Sequence, residues 1–219
     1  MPAAIPPETF RFLRQLARHN RKAWMDQNRD RYREHVVAPL RGLVAALGPS
    51  LLELDPGFEI AAGAGRTLSR INRDTRFAAD KSPYRTRIYV QFGTGGGVES
   101  GQLYLGLGPE DVSVGFRIYG GSDSPLARVG RTRALDNPDW LARQARRLGR
   151  RYESYWYATS RWTRHAGFPS RSEHWQRLRG WVVRRCYSPT AAMRPAFLAQ
   201  VRRNFEDLFP LYAFTALEG

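Results

Sequence analysis

Hydrophobic spacing switches twice along the 219-residue chain, from helical to alternating and back, and this limits the fold more than any other feature. Phe10, Leu13, Leu16 and Ala17 share one side of a helix over residues 8–19, which Asn20 should stop. A second helix starts near Lys22, with Trp24, Tyr32, Val36 and Val37 on its apolar side. Pro39 should kink or break it, because proline lacks an amide hydrogen and crowds the preceding turn. Leu40, Leu43, Val44 and Leu47 continue the pattern to Gly48-Pro49, a stop signal. After a Gly- and Ala-rich stretch at 55–66 the period shortens. Thr67–Asn72, Thr86–Phe92, Gln102–Gly108 and Val112–Tyr119 alternate or carry β-branched and aromatic residues, as strands do. Gly93–Gly97 reads as a flexible hairpin connection.

Helical spacing returns at Asn137-Pro138, an N-cap followed by proline at the first helical position. Trp140, Leu141, Ala145 and Leu148 form its inner side and Gly149 closes it. Spacing does not decide residues 151–168. A short helix near Glu173–Leu178 leads into a strand at Trp181–Tyr187, and Ser188-Pro189 caps a last helical region. The inner face of that region is Phe197, Leu198, Val201, Phe205 and Leu208. Short connections between strands favour antiparallel pairing. The expected fold is therefore α+β, a mostly antiparallel sheet flanked by N- and C-terminal helices, with residues 1–219 as a single domain.

Cys186 is the lone cysteine, which excludes an intrachain disulfide and suits a reducing cytosol. It sits in an apolar strand-like run and is expected to be buried as a small hydrophobe. The N-terminus lacks the basic start and apolar run of a signal peptide, and no apolar stretch approaches the roughly 18 residues that span a bilayer. A cytoplasmic protein without a membrane partner is expected. The sequence sets no oligomeric state.

The formal charge is +15 and favours anionic partners. Thirty-three of the 35 basic residues are arginine, a skew that codon usage alone can produce, so distribution is more informative than the total. Residues 1–60 hold nine basic and seven acidic side chains, whereas residues 66–87 hold seven against two and residues 161–203 ten against one.

Arg70 to Arg85 stands out within this pattern. If residues 70–77 are extended, Ile71, Arg73, Thr75 and Phe77 share one face. Ile71 and Phe77 are natural core residues, so Arg73 would be drawn inward with them and would need a partner. Asp80 suits that role, because Asp74 points to the opposite face with Arg70, Asn72 and Arg76. Asp80-Lys81-Ser82-Pro83 has turn chemistry. One reading of the segment is a salt-bridge network that braces a corner of the sheet. The other is an anion site built from Arg70, Arg73, Arg76, Asp80, Lys81, Tyr84 and Arg85, in which Arg70, Arg76 and Lys81 contact a phosphate or carboxylate while Asp74 and Asp80 orient the arginines.

The pattern R-I-x-R-D-x-R-F-x-x-D-K-x-P-Y-R, residues 70–85, resembles the hallmark of an uncharacterised bacterial and fungal family, domain of unknown function family 2461. The N-terminal Phe12-Leu13, Leu16, Asn20, Lys22, Trp24, Tyr32 and Pro39 fit it, as do Phe205, Pro210 and Leu211. His19 and Met25 depart from the usual residues, and Ala78-Ala79 replaces a more polar pair. The resemblance implies one domain in prokaryotic cytoplasm and no known activity.

Other chemistries find little support. Gly93–Gly97 lacks the Gly-Lys-Ser/Thr ending of a phosphate loop. His19, His35, His165 and His174 are scattered without metal-ligand spacing, so no metal or cofactor is expected. No Gly-x-Ser-x-Gly elbow is present. Tyr152, Tyr155-Trp156-Tyr157, Trp162, Trp175 and Trp181 interleave with arginines and could form a stacking platform, although core packing accounts for most such rings. His19-Asn20-Arg21-Lys22 reads as a capped turn that could also meet the charged segment. The leading expectation is a binding protein for an anionic ligand, with nucleic acid first. The alternatives are an enzyme on a small anionic substrate, with Lys81 and Asp74 as acid–base groups, and a structural or interaction module.

Overall fold

The computed structural model describes residues 5–63, 65–93, 101–120, 136–158, 161–169 and 171–215. The chain forms two compact units, each assembled from three stretches. The first comprises Met1–Gln91, Leu105–Ser113 and Cys186–Arg202, and the second Phe92–Tyr104, Val114–Arg185 and Arg203–Gly219.

In the first unit, helix α1 (Pro7–Arg18) opens on proline, where a missing amide hydrogen leaves no intrahelical bond unmade. It buries Thr9, Phe10, Phe12, Leu13 and Leu16, while Ala17 is exposed. Helix α2 (Lys22–Gln27) follows, and then one long run: α3 (Arg29–Tyr32), a π-helical turn (Arg33–Val37) and α4 (Ala38–Leu54). Pro39 therefore bends nothing apart. It cannot donate to the carbonyl four residues back, that of His35. The fully buried Thr9 hydroxyl donates to that carbonyl instead, at 2.5 Å, and the wider π turn sits at the same place. Nor does Gly48-Pro49 end the helix. Leu47 and Leu51 are both buried, and tertiary packing carries α4 through Pro49 to Leu54.

By length and composition Arg29–Leu54 is long and apolar enough to cross a membrane, contrary to the sequence expectation. Its apolar face, Val36, Leu40, Leu43, Val44, Leu47 and Leu51, is buried within the first unit.

The sheet contains β1 (Ile88–Phe92), β2 (Gln102–Leu107), β3 (Val112–Tyr119), β4 (Glu153–Tyr157), β5 (Trp162–His165) and β6 (Gly180–Tyr187). Neighbouring strands run in the order β1-β2-β3-β6-β4-β5, with β4 antiparallel to both β5 and β6. The fold class is α+β, as expected. Residues 151–168, undecided by spacing, contain the β4–β5 hairpin. All of β2 and nearly all of β3 are buried on both faces, so neither strand shows clean alternation. The predicted strand at Thr67–Asn72 is absent. Its backbone makes isolated bridges, Leu68 to Val90 and Asn72 to Tyr84, between stretches of turn. Of the Gly93–Gly97 connection, all but Gly93 lies outside the described residues.

The second unit is organised around aromatic rings. Trp175 and Trp181 are fully buried and meet edge to face at 5.5 Å, and Phe116 and Phe168 pack on Trp181. Helices α5 (Pro138–Leu148) and α6 (Ser172–Arg177) belong to this unit. Asn137 occupies the cap position of α5 without a side-chain cap bond. The short α7 (Pro189–Ala192) is capped as expected by Ser188, whose hydroxyl accepts the Ala191 amide at 3.2 Å, and α8 (Phe197–Thr215) follows. Cys186 is exposed rather than buried, because the last residues of β6 have left the apolar interior.

Replacing Thr9 by valine keeps its volume but orphans the His35 carbonyl. We expect a loss of about 1–2 kcal/mol in urea-unfolding free energy, and an unchanged midpoint would show that this hydrogen bond does not hold the proline-containing turn.

Candidate functional site

The charged segment is an irregular two-stranded arm closed by a loop. Residues 67–73 run beside residues 83–91. Ser69 N donates to Tyr89 O at 2.9 Å, Arg73 N to Pro83 O at 2.9 Å, and Arg85 N to Ile71 O at 2.7 Å. The Ser69 hydroxyl accepts the Tyr89 amide at 2.9 Å, where a regular ladder would use a carbonyl. Gly65, at φ 85°, turns the chain into the arm in a conformation that side-chain-bearing residues rarely adopt. A Cβ there would come within 3.1 Å of the Arg70 guanidinium, so Arg70 lies against bare backbone.

The α1–α2 junction anchors the far end of the arm. The Asn20 amide group donates to Tyr84 O at 2.8 Å and accepts from Tyr84 N at 3.0 Å, pairing with that residue as a neighbouring strand would. Asn20 thus caps no helix; it joins α1 to the charged segment. Tyr84 is buried, and its backbone anchors the segment.

Two carboxylates shape the loop. Asp74 accepts the Arg76 amide at 3.1 Å and its guanidinium at 2.7 Å, and Asp80 accepts the Ser82 amide at 2.9 Å and pairs with Arg73. The expected Arg73–Asp80 pair is therefore present, with Asp74 on the other side. Hydrogen bonds from Arg76 hold the Asp74 carboxyl below its ordinary range. Ser82 and then Arg73 hold Asp80 well below its own. Lys81 Nζ donates to the carbonyls of Thr75 at 3.0 Å and Arg76 at 3.4 Å, closing the loop on itself. Asp74 is committed to Arg76, and Lys81 to two backbone carbonyls.

Phe77 overturns the expectation of a core residue. Burial alternates from Ile71 to Arg76, but the turn begun by the Ala78 amide bonding to Thr75 O throws Phe77 outward, 96% exposed. The Arg76 guanidinium lies 5.9 Å from the Phe77 ring. Five cations against two carboxylates leave the segment at +3. Arg73 and Arg76 are matched, Lys81 meets carbonyls, and Arg70 and Arg85 have no ion pair or side-chain hydrogen bond among the described residues.

The second unit holds a cavity of about 360 Å³ lined by Tyr152, Glu153, Ser154, Arg164, His165 and Phe168, among others. Glu153 is occupied by Arg164 at 3.2 Å and by the Tyr155 hydroxyl at 3.1 Å. Ser154 Oγ accepts the indole N–H groups of Trp156 at 3.1 Å and Trp181 at 3.2 Å. A serine oxygen facing two donors is not an activated nucleophile. Among the described residues no three His, Cys, Asp or Glu side chains cluster as metal ligands.

Two outcomes test this description. Asn20→Ala removes both anchoring bonds, and we expect a loss of about 1–2 kcal/mol together with faster hydrogen exchange at the Tyr84 amide; native exchange there would refute the anchor. Both loop carboxyls are depressed in the folded state. The ordering they contribute is therefore present above the unfolded value of about 3.9 and lost as pH falls through the lower folded values. Carboxyl carbon NMR titration should place both midpoints below that value, and a midpoint at or above it would refute the pairing.

Among curated proteins none matches the chain. A family model described as "Conserved hypothetical protein (DUF2461)" matches residues 8–214, which include nearly all of α1 and α8, the anchor and the charged loop. The chain belongs to this conserved hypothetical family, DUF2461.

Proposed function

We propose that this is a cytoplasmic anion-binding protein whose partner is nucleic acid, held through the Arg70–Arg85 loop. The observation that supports this most is the loop's composition once its internal pairs are counted. Arg73 and Arg76 serve the two aspartates, Arg70 and Arg85 on the arm make no ion pair among the described residues, and Phe77 on the loop is fully presented. Free guanidiniums suit phosphate oxygens, and a projecting ring suits a base face or an exposed stack end. The internal pairs hold the loop in shape before a ligand arrives, which reduces the ordering entropy lost on binding. Cys186 is exposed and, as the single cysteine, forms no intrachain disulfide, which is compatible with a reducing compartment.

The test is fluorescence anisotropy of a labelled 20-nucleotide strand across 50 to 200 mM NaCl. For single strands each phosphate contact adds about −0.7 to the slope of log affinity against log salt, so the Arg70→Ala, Arg85→Ala double variant should flatten it by about 1.4. Phe77→Ala should weaken binding roughly tenfold without changing the slope. An unchanged slope in the double variant would overturn the reading.

A further inference from the structure

We infer that one face of the β4–β5–β6 sheet in the second unit is a stacking platform for unpaired nucleobases. The inference rests on the nucleic-acid reading above, deepens it by naming the single-stranded form as partner, and uses residues outside the charged loop.

Register places the residues. Tyr157 lies opposite Trp162 on β5 and opposite Gly180 on β6, so the three share one face. In the next row Tyr155 lies opposite Arg164 and Val182, and Glu153 opposite Arg184 follows. Ser154 and Trp156 alternate to the other face, where Trp156 stacks on His165 at 3.9 Å. The first face thus carries three aromatic rings, Tyr155, Tyr157 and Trp162, and the cation Arg164 from β4 and β5, with Arg184 added from β6.

The position opposite Tyr157 on β6 decides what Trp162 does. A Cβ on Gly180 would meet the Trp162 ring at 2.9 Å and the Tyr119 ring at 3.2 Å. Glycine there lets the indole reach from edge strand β5 across β4 onto β6. Its end meets the Tyr119 ring edge to face at 5.5 Å and 86°, and Tyr157 lies beside it at 5.3 Å. Held from below in this way, Trp162 is still 40% exposed. With Phe77 it is one of the two exposed large apolar side chains among the described residues.

Cations accompany these rings on the same three strands. The Arg184 guanidinium lies 4.4 Å from the Tyr155 ring centroid, Arg164 is exposed on the indole's own strand, and Arg161 precedes it, also exposed. Glu153 offsets part of this charge through Arg164 at 3.2 Å and Arg184 at 3.8 Å, and the Arg184 guanidinium lies over the Tyr155 ring. Flat aromatic surface with arginines at its border is what successive unpaired bases and their phosphates require. A duplex hides its base faces and gains nothing from it.

The experiment compares three labelled 12-mers by anisotropy at fixed salt: oligo-dT, an abasic strand with the same phosphates, and a dT·dA duplex. Wild type should favour oligo-dT over the abasic strand roughly tenfold, and over the duplex. Trp162→Ala should bring the dT-to-abasic ratio close to one while keeping the salt slope, and Trp162→Phe should retain most of the preference. If Trp162→Ala melts early, the phenylalanine variant and Arg164→Ala carry the comparison. The loop double variant should weaken both strands and leave their ratio intact. A ratio unmoved by Trp162→Ala, or preference for the duplex, overturns the platform and leaves the loop reading standing. Loss confined to the Trp162 variants overturns the loop reading alone. Failure of wild type to bind any of the three overturns both.

Discussion

The two hydrogen bonds between the Asn20 side chain and the Tyr84 backbone fix the charged segment in the first unit. An amide side chain is unusual in offering a donor and an acceptor side by side, the same complement that a residue in a strand presents to its neighbour. With Tyr84 pinned, Arg85 pairs back to Ile71 and Arg73 to Pro83, and the arm has a defined base. The nine residues between Arg73 and Pro83 then need only local interactions to hold a shape. Asp74 and Asp80 each bend the chain by accepting the amide two residues ahead, and Lys81 draws the ends together. The ion pairs are exposed and each adds little stability. Their effect is on conformation: they decide which side chains face outward.

Much of this was legible in the sequence, for reasons that can be traced residue by residue. Strict alternation puts Arg73 and Asp74 on opposite sides and leaves Asp80 as the partner of an inward Arg73, a pair that holds although Phe77, one of the two residues expected to draw Arg73 inward, is exposed. Strands β2, β3 and β6 were found because β-branched and aromatic residues are dense there. Phe77 departs from its expected core place because alternation holds only while the chain stays extended, and that ends at the turn around Thr75 to Ala78. Cys186 was misplaced because an apolar run does not show where a strand leaves the interior. Pro39 and Pro49 are breaks by local rules, which take no account of a hydroxyl arriving from another helix or of leucines held by packing.

The site was harder to read than the fold. Charge density located the segment, yet it could not separate cations that serve the protein's own carboxylates from those left for a partner. That division depends on which residue each guanidinium reaches, a tertiary fact. The same limit applied to Trp162 and Gly180. Neither is distinctive alone, and only the strand register shows that the glycine makes room for the indole.

The wider turn at Arg33–Val37 has a consequence for how this helix can vary. A π-helical turn carries one residue more than the α-helical turn it replaces. Shortening the chain by one residue elsewhere along Arg29–Leu54 would rotate everything downstream by roughly a quarter of a circle and aim leucines at solvent. Within the turn, the same loss would restore ordinary winding and leave the downstream leucines aimed as they are. This is the point in the long helix where lineages could gain or lose a residue without redesigning what packs against it.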